Sequence, residues 1–282
     1  MFQITADHFS LDQIYKSGQC FRMRRLPEGT YEVIAGDRYL RAVQSGNTVS
    51  FYCADRETDF WLDYFDLRED YGRYIRTVNP NDLYLCEAVR CSSGVRILRQ
   101  DLWEMIVTFL VSQQNHIRRI RRCIDLLCEN YGMYIAIPEE SGSDGQKTEG
   151  YFSFPGPEAF ADLREDALMG CNLGYRSKYV VRSAAQILSG EVRLDLIRKM
   201  TYKNARQELL KLYGVGEKVA DCICLFARHD LDAFPIDTHI RQALDHHYKR
   251  GFPNRRYRGY RGVIQQYIFC YELWGQPAVQ EE

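Results

Sequence analysis

The chain has 282 residues, 45% of them hydrophobic, enough for one large domain or two modest ones and unlike a disordered chain. No apolar run approaches bilayer-spanning length, and Met1 to His8 lacks the basic start and long apolar stretch of a secretion signal, so a cytoplasmic location is expected. A net charge of −1 argues against a polyanionic partner unless basic residues are gathered on one surface.

From Cys20 to Tyr52, turn residues at Pro27-Glu28-Gly29, Gly36-Asp37 and Ser45-Gly46-Asn47 separate three short β-prone runs. These are Tyr31 to Ile34, Tyr39 to Val43 and Thr48 to Tyr52, and their spacing predicts an antiparallel meander. An acidic block follows, with seven carboxylates between Asp55 and Asp70 against Arg56 and Arg68. Beyond about Asn81 the period becomes helical, in Leu102, Ile106, Phe109 and Leu110 and again in Ile117, Ile120, Ile124 and Leu127. The expected fold is therefore α+β: an N-terminal antiparallel β-sheet domain over residues 1–80 and a mainly α-helical domain over 81–282.

Pro138 to Gly150 is polar and glycine-rich, and predicts an exposed, mobile loop. Helical patterning resumes through Leu163, Leu168, Val180, Ala184 and Leu188, and no internal repeat suggests a solenoid. Basic residues gather at Arg118, Arg119, Arg121 and Arg122 and again from Lys249 to Arg261. The second group alternates with Phe252, Tyr257 and Tyr260, a mixture that suits either phosphate contact with base stacking or a solvated loop. Ten cysteines spread from Cys20 to Cys270 form no CxxC pair, and the histidines show no metal-binding spacing. Buried free thiols and no metal or other cofactor are expected.

Asn204 to Lys211 predicts a helix, followed by Leu212-Tyr213-Gly214-Val215-Gly216-Glu217 and a second helix carrying Lys218, Val219, Ala220, Ile223 and Leu225. Gly214 and Gly216 permit a tight reversal and bring backbone N–H groups to the surface, where a helix start binds phosphate without a basic side chain. This predicts a nucleic-acid hairpin. Lys218, in the first turn, is poorly placed for the helix dipole. That suits a solvated surface residue, and equally an amine held partly neutral for attack on an electrophilic carbon. Asp237 precedes Thr238-His239-Ile240, where a helix N-cap belongs, and the capping-box position holds Ile240. Capping amides would also keep the carboxylate ionised and oriented, ready to stabilise a developing positive charge.

These residues resemble the helix-hairpin-helix DNA glycosylase superfamily, most closely its 8-oxoguanine DNA glycosylase/AP lyase branch. Segments in order along the chain carry the resemblance: Ser17 to Arg22, Ser112 to Ile120, Leu173 to Tyr179, Leu212 to Ile223, Pro235 to His239, and Gln265 to Phe269. The resemblance implies a base-excision enzyme that flips the damaged nucleotide out of duplex DNA. It implies Lys218 as nucleophile at C1′, forming a Schiff base that leads to β-elimination, and Asp237 as electrostatic partner. Phe269 and Cys222 would sandwich the base, Gln265 would read its Watson–Crick edge, and the Gly18 carbonyl would accept the N7 proton that distinguishes 8-oxoguanine. Without the resemblance, Phe269 and Cys222 read as ordinary helix core. Tyr175 would wedge the vacated stack, with Gln114, Asn115, Arg119 and Arg176 around the orphaned cytosine and His239 near a phosphate. Gln114 departs from the asparagine of the closest eukaryotic relatives, which leaves strict preference for cytosine open. The implied partner is double-stranded DNA containing oxidised guanine, bound by a monomer away from membranes, at the nucleoid if the source is prokaryotic. A related glycosylase for another damaged base, or a hairpin module that only holds DNA, are the alternatives. The four-cysteine motif of the endonuclease III type is missing after Cys270, and an alkyladenine glycosylase would lack the lysine.

Overall fold

A computed structural model describes residues 1–137 and 150–275. The expected loop at Pro138 to Gly150 lies outside them except for Gly150. The N-terminal part is a five-stranded antiparallel sheet of β1 (Phe2–Thr5), β2 (Met23–Arg25), β3 (Thr30–Ala35), β4 (Arg38–Ser45) and β5 (Thr48–Tyr52). Strand order β1-β5-β4-β3-β2 makes β2 to β5 a meander, with β1 added beside β5. Side chains alternate along β3 to β5, so Tyr31, Val33, Leu40, Ala42, Val49 and Phe51 all face inward. They pack on helices α1 (Leu11–Lys16) and α2 (Thr58–Tyr64), which supply Leu11, Ile14, Trp61 and Tyr64 to the same core. Each fully buried Val, Leu, Ile or Phe among them is worth roughly 1.5–3 kcal/mol.

A short α3 (Tyr71–Ile75) leads to the helical part: α4 (Leu83–Ser92), α5 (Leu102–Ser112) and α6 (Ile117–Tyr131). A small β6 (Tyr134–Ala136) and β7 (Gly150–Phe152) ribbon follows. The remainder comprises α7 (Ser177–Leu188), α8 (Leu194–Ile197), α9 (Tyr202–Leu209), α10 (Glu217–Ala227), α11 (Thr238–His247) and α12 (Arg261–Cys270). α5 is buried from Leu102 to Val111, and its Phe109 ring stacks 5.5 Å from Phe226 of α10. No helix among the described residues is long and apolar enough to cross a membrane.

The two cores interlock through the segment between α4 and α5. Leu98 belongs to the sheet core, whereas Phe21, Tyr71 and Tyr74 belong to the helical core. Arg96, itself buried, donates to the carbonyls of Asp7, His8, Asp66 and Glu69. Asp66, nominally part of the acidic block, is buried against Arg99 at 2.8 Å and His229 at 3.0 Å. The basic segment from Lys249 to Arg261 also departs from expectation. Tyr257 is fully buried, Tyr260 stacks 4.7 Å from Tyr74, and Phe252 packs on Phe234. Its aromatic rings are thus structural and not free for base stacking, although Lys249, Arg250, Arg255 and Arg258 remain exposed.

Arg22 and Glu104 form a buried pair at the junction, 3.8 Å apart, with Arg22 also donating to the carbonyls of Gly36 and Phe152. Burial pushes the Glu104 carboxyl up to about 7, against the opposing pull of Arg22. Between the ordinary glutamate range, roughly 4.3, and that raised value, the folded state holds a proton that the unfolded chain has released. Stability contributed by this group therefore falls as pH rises through that window. The difference in melting temperature between Glu104→Gln and wild type should shift in favour of the variant from about pH 5 to about pH 7.5; a constant difference would contradict the buried, proton-holding environment.

Candidate active site

The turn between α9 and α10 is the hairpin expected from the sequence. Leu212 and Val215 are buried beneath it, and the Val215 amide closes on the Leu212 carbonyl at 3.1 Å. Gly214 has φ +88°, and a Cβ there would lie 2.6 Å from the Tyr179 ring, so both conformation and space require glycine. Gly216 differs: it is the α10 N-cap, with φ −97° and no atom within 4 Å of the place a Cβ would occupy. Its exposure leaves the first amides of α10 approachable by an anion.

Lys218 is half-buried in that first turn, with its amine 5.6 Å above the Phe109 ring of α5. It makes no ion pair within 4.0 Å among the described residues. One turn further, Cys222 is buried, and burial pushes its thiol up to about 11 despite the opposing pull of Lys218, while Asp237 and Asp221 push it further up. It is a neutral thiol at physiological pH, suited to contact an apolar surface and not to compete as a nucleophile. Lys218 and Asp237 are both close enough to Cys222 to act on its sulfur.

Asp237 caps α11, its carboxylate accepting the Ile240 amide at 2.8 Å. The expected N-cap is therefore present, and the bond fixes the carboxylate direction. Two residues on, exposed His239 meets Phe269 of α12 edge-on, with ring centroids 6.2 Å apart. Gly18, from the other end of the chain, lies against this ring with φ +72°: a Cβ would be 3.7 Å from Phe269 and 3.5 Å from Ile117. Among the described residues no donor is bonded to the Gly18 carbonyl. Gln265, 3% exposed, donates to the Pro235 carbonyl at 3.1 Å and accepts from Gln266 at 3.1 Å. An amide has two N–H donors and two acceptor lone pairs, so one of each remains.

A second cluster forms where α5 ends. Gln114 is exposed in the left-handed region, φ +48°, with its side-chain oxygen 3.4 Å from the Tyr175 hydroxyl that donates to it. Tyr175 is 45% exposed, while Arg176 beside it is only 4% exposed. The Arg176 guanidinium lies 4.5 Å from the Tyr175 ring and donates to the carbonyls of Gln113, Gln114 and Leu173. Arg176 is thus a strut beneath the exposed pair, a place that its charge in the sequence does not reveal. Asn115 caps the end of α5 through Val111, and exposed Arg119 reaches the Asn172 carbonyl at 3.3 Å. The two clusters are joined by residues to which the sequence alone assigns no role: Gln113, donating to Gly214 at 2.9 Å, Phe109 under Lys218, and Ile117 against Gly18. Gln113 and Ile117 both sit inside the Ser112 to Ile120 segment, and a polar residue at the inner end of an apolar helix was the available signal for Gln113. Among the described residues no group of three or more His, Cys, Asp or Glu side chains is placed to hold a metal ion.

Residues 1–106 match the 8-oxoguanine DNA glycosylase N-terminal domain and residues 107–253 match the HhH-GPD superfamily base excision DNA repair protein. The N-glycosylase/DNA lyase of Saccharomyces cerevisiae is 32% identical over 55% of this chain and 42% of its own length. The N-glycosylase/DNA lyase OGG1 of Arabidopsis thaliana is 27% identical over 85% of this chain and 66% of its own. The chain thus spans less than two thirds of each of these relatives. Among solved structures, the 8-oxoguanine glycosylase/lyase of Clostridium acetobutylicum, in complex with double-stranded DNA containing cytosine opposite 8-oxoG, superposes with a TM-score of 0.85. It is 32% identical over 94% of this chain and 92% of that one.

The unlike surroundings of the two hairpin glycines give a contrast in stability. Gly214→Ala should cost at least about 2 kcal/mol, from the left-handed backbone and the collision with Tyr179. Gly216→Ala should cost about 1 kcal/mol or less, through the N-cap alone. Denaturant unfolding of both variants measures this, and equal costs would contradict the geometry of the turn.

Proposed function

The chain belongs to the HhH-GPD superfamily of base excision DNA repair proteins and carries an 8-oxoguanine DNA glycosylase N-terminal domain, and from that premise we propose that it excises 8-oxoguanine from duplex DNA and cleaves the abasic strand. The observation that carries this reading is Lys218: a half-buried amine without an ion pair among the described residues, seated on Phe109, with the oriented carboxylate of Asp237 also near Cys222. Duplex DNA is the partner. Exposed amides at the α10 start supply phosphate contacts that a net charge of −1 conceals.

The extracted base enters between the Phe269 ring and the neutral Cys222 thiol, where the remaining N–H and lone pair of Gln265 meet its Watson–Crick edge. The Gly18 carbonyl accepts the N7 proton of 8-oxoguanine. Guanine presents a lone pair there, leaving the carbonyl facing another acceptor and imposing a desolvation penalty. Tyr175 and Gln114 fill the emptied stack, supported by Arg176, with Asn115 and Arg119 beside the orphaned base. His239 stands at the rim for the phosphate of the flipped nucleotide.

In the reaction, the neutral Lys218 amine attacks C1′ as the bond to N9 breaks and the base leaves, taking up a proton. The negative charge of Asp237 stabilises the positive charge developing on the sugar. Loss of the remaining amine proton and opening of the sugar ring give the imine. Removal of a proton from C2′ then expels the 3′ phosphate, cutting the strand by β-elimination. Phe109 supplies the ring face over which the Lys218 amine is seated.

Borohydride reduction during reaction with an 8-oxoguanine duplex should give a covalent protein–DNA adduct that is absent with Lys218→Gln. An adduct of equal yield in that variant, or none with wild type, would overturn the mechanism. Asp237→Asn should keep the α11 cap and DNA binding, since asparagine caps as well as aspartate, yet lose turnover by roughly two orders of magnitude. Unchanged turnover would reduce Asp237 to a cap.

A further inference from the structure

Gln19 is completely buried beside Gly18, and every polar group of its side chain is engaged. Its amide nitrogen donates to the Ser17 hydroxyl at 3.0 Å and to the Arg96 carbonyl at 2.9 Å, and its side-chain oxygen accepts the Leu98 amide at 2.9 Å. Its backbone carbonyl accepts from the Gln100 side chain at 2.9 Å. Ser17 is held in turn, its hydroxyl donating to the Ile14 carbonyl at 2.8 Å. A leucine would fill similar space without the cost of burying an amide, so packing alone does not account for glutamine here.

The carbonyl of Gly18 and the nitrogen of Gln19 belong to one rigid peptide plane. Gly18 itself, at φ +72° and without a side chain, offers little resistance to rotation of that plane. The bonds to Gln19 fix the following Cα, the direction of its carbonyl and the path of its side chain, and with them the plane. The same network reaches the lysine helix: the Gln100 backbone amide donates to the Phe226 carbonyl of α10 at 3.0 Å. Phe226 stacks on Phe109, above which Lys218 lies. One side chain and one backbone bond of Gln100 therefore tie the base-reading carbonyl to the helix that carries the nucleophile.

We propose that Gln19 is a positioning residue for base discrimination, aiming the Gly18 carbonyl at the extracted base, and that Gln100 sets this aim relative to α10. The inference rests on the role given to Gly18 under Proposed function. Lesion excision and cleavage of a preformed abasic site separate its consequences, because an abasic site has no base for Gly18 to read. A loss of general structure lowers both rates, whereas misdirection of the carbonyl lowers excision more.

The test is single-turnover kinetics of wild type, Gln19→Leu, Gln19→Glu and Gln100→Leu on an 8-oxoguanine duplex and on a preformed abasic duplex, with thermal unfolding of each variant. The ratio of excision to abasic cleavage should fall roughly tenfold or more in Gln19→Leu, and by a smaller factor in Gln100→Leu. Gln19→Glu, which keeps the acceptor for Leu98 and loses both donors, should fall between wild type and Gln19→Leu. If Gln19→Leu fails to fold, Gln100→Leu decides. A ratio within about twofold of wild type in the folded variants overturns the positioning role while leaving the proposed activity standing. A wild type inactive on both duplexes overturns the proposed activity and this inference together.

Discussion

The hydrogen bond from Gln113 to the Gly214 carbonyl joins two surfaces of the candidate site. On one side is the loop leaving α5, with Gln114, Asn115 and the Tyr175 pair; on the other is the hairpin that begins α10. Arg176 reinforces the junction from beneath by donating to the Gln113 carbonyl, and the Tyr179 ring closes it by packing where any side chain on Gly214 would stand. Because α5 also supplies Phe109 and α10 supplies Lys218, the same junction sets the height of the amine above its apolar seat. A shift of the loop is a shift of the proposed nucleophile.

Around that junction, individual residues serve conformation and chemistry together. Asp237 is an N-cap by geometry, and the cap is what gives its carboxylate a fixed direction. Burial keeps the Cys222 thiol protonated among its charged neighbours. Gln265 commits half its hydrogen-bonding capacity to Pro235 and Gln266, which pins the other half. The pocket is built from rigid helix starts and ends, where backbone groups lacking helical partners are available for binding.

The α+β architecture was legible because each half has a clear period. Alternation marked β3 to β5, and apolar spacing marked α5, α6 and the helices around the hairpin. β1 escaped because none of its residues is fully buried and its partner is β5, distant in sequence. α2 was hidden by carboxylates whose exposed positions obscure Trp61 and Tyr64 on the inner face. The basic segment before α12 misled in the opposite direction, since its rings are core residues reached by long-range packing. In the candidate site, Lys218 and Asp237 could be singled out from local helix chemistry. Gly18 beside Phe269, burial of Arg176 and the joining role of Gln113 depend on contacts between distant segments, which no local period records.

The claim on which the rest depends is that a single amine, seated over Phe109 at the start of α10, becomes bonded to the sugar. Mass spectrometry of proteolytic fragments from the reduced protein–DNA adduct identifies the residue that carries it. Attachment at Lys218 is the predicted result. Attachment at the neighbouring Lys211, at the N-terminal amine or spread among several lysines would contradict a nucleophile selected by that pocket.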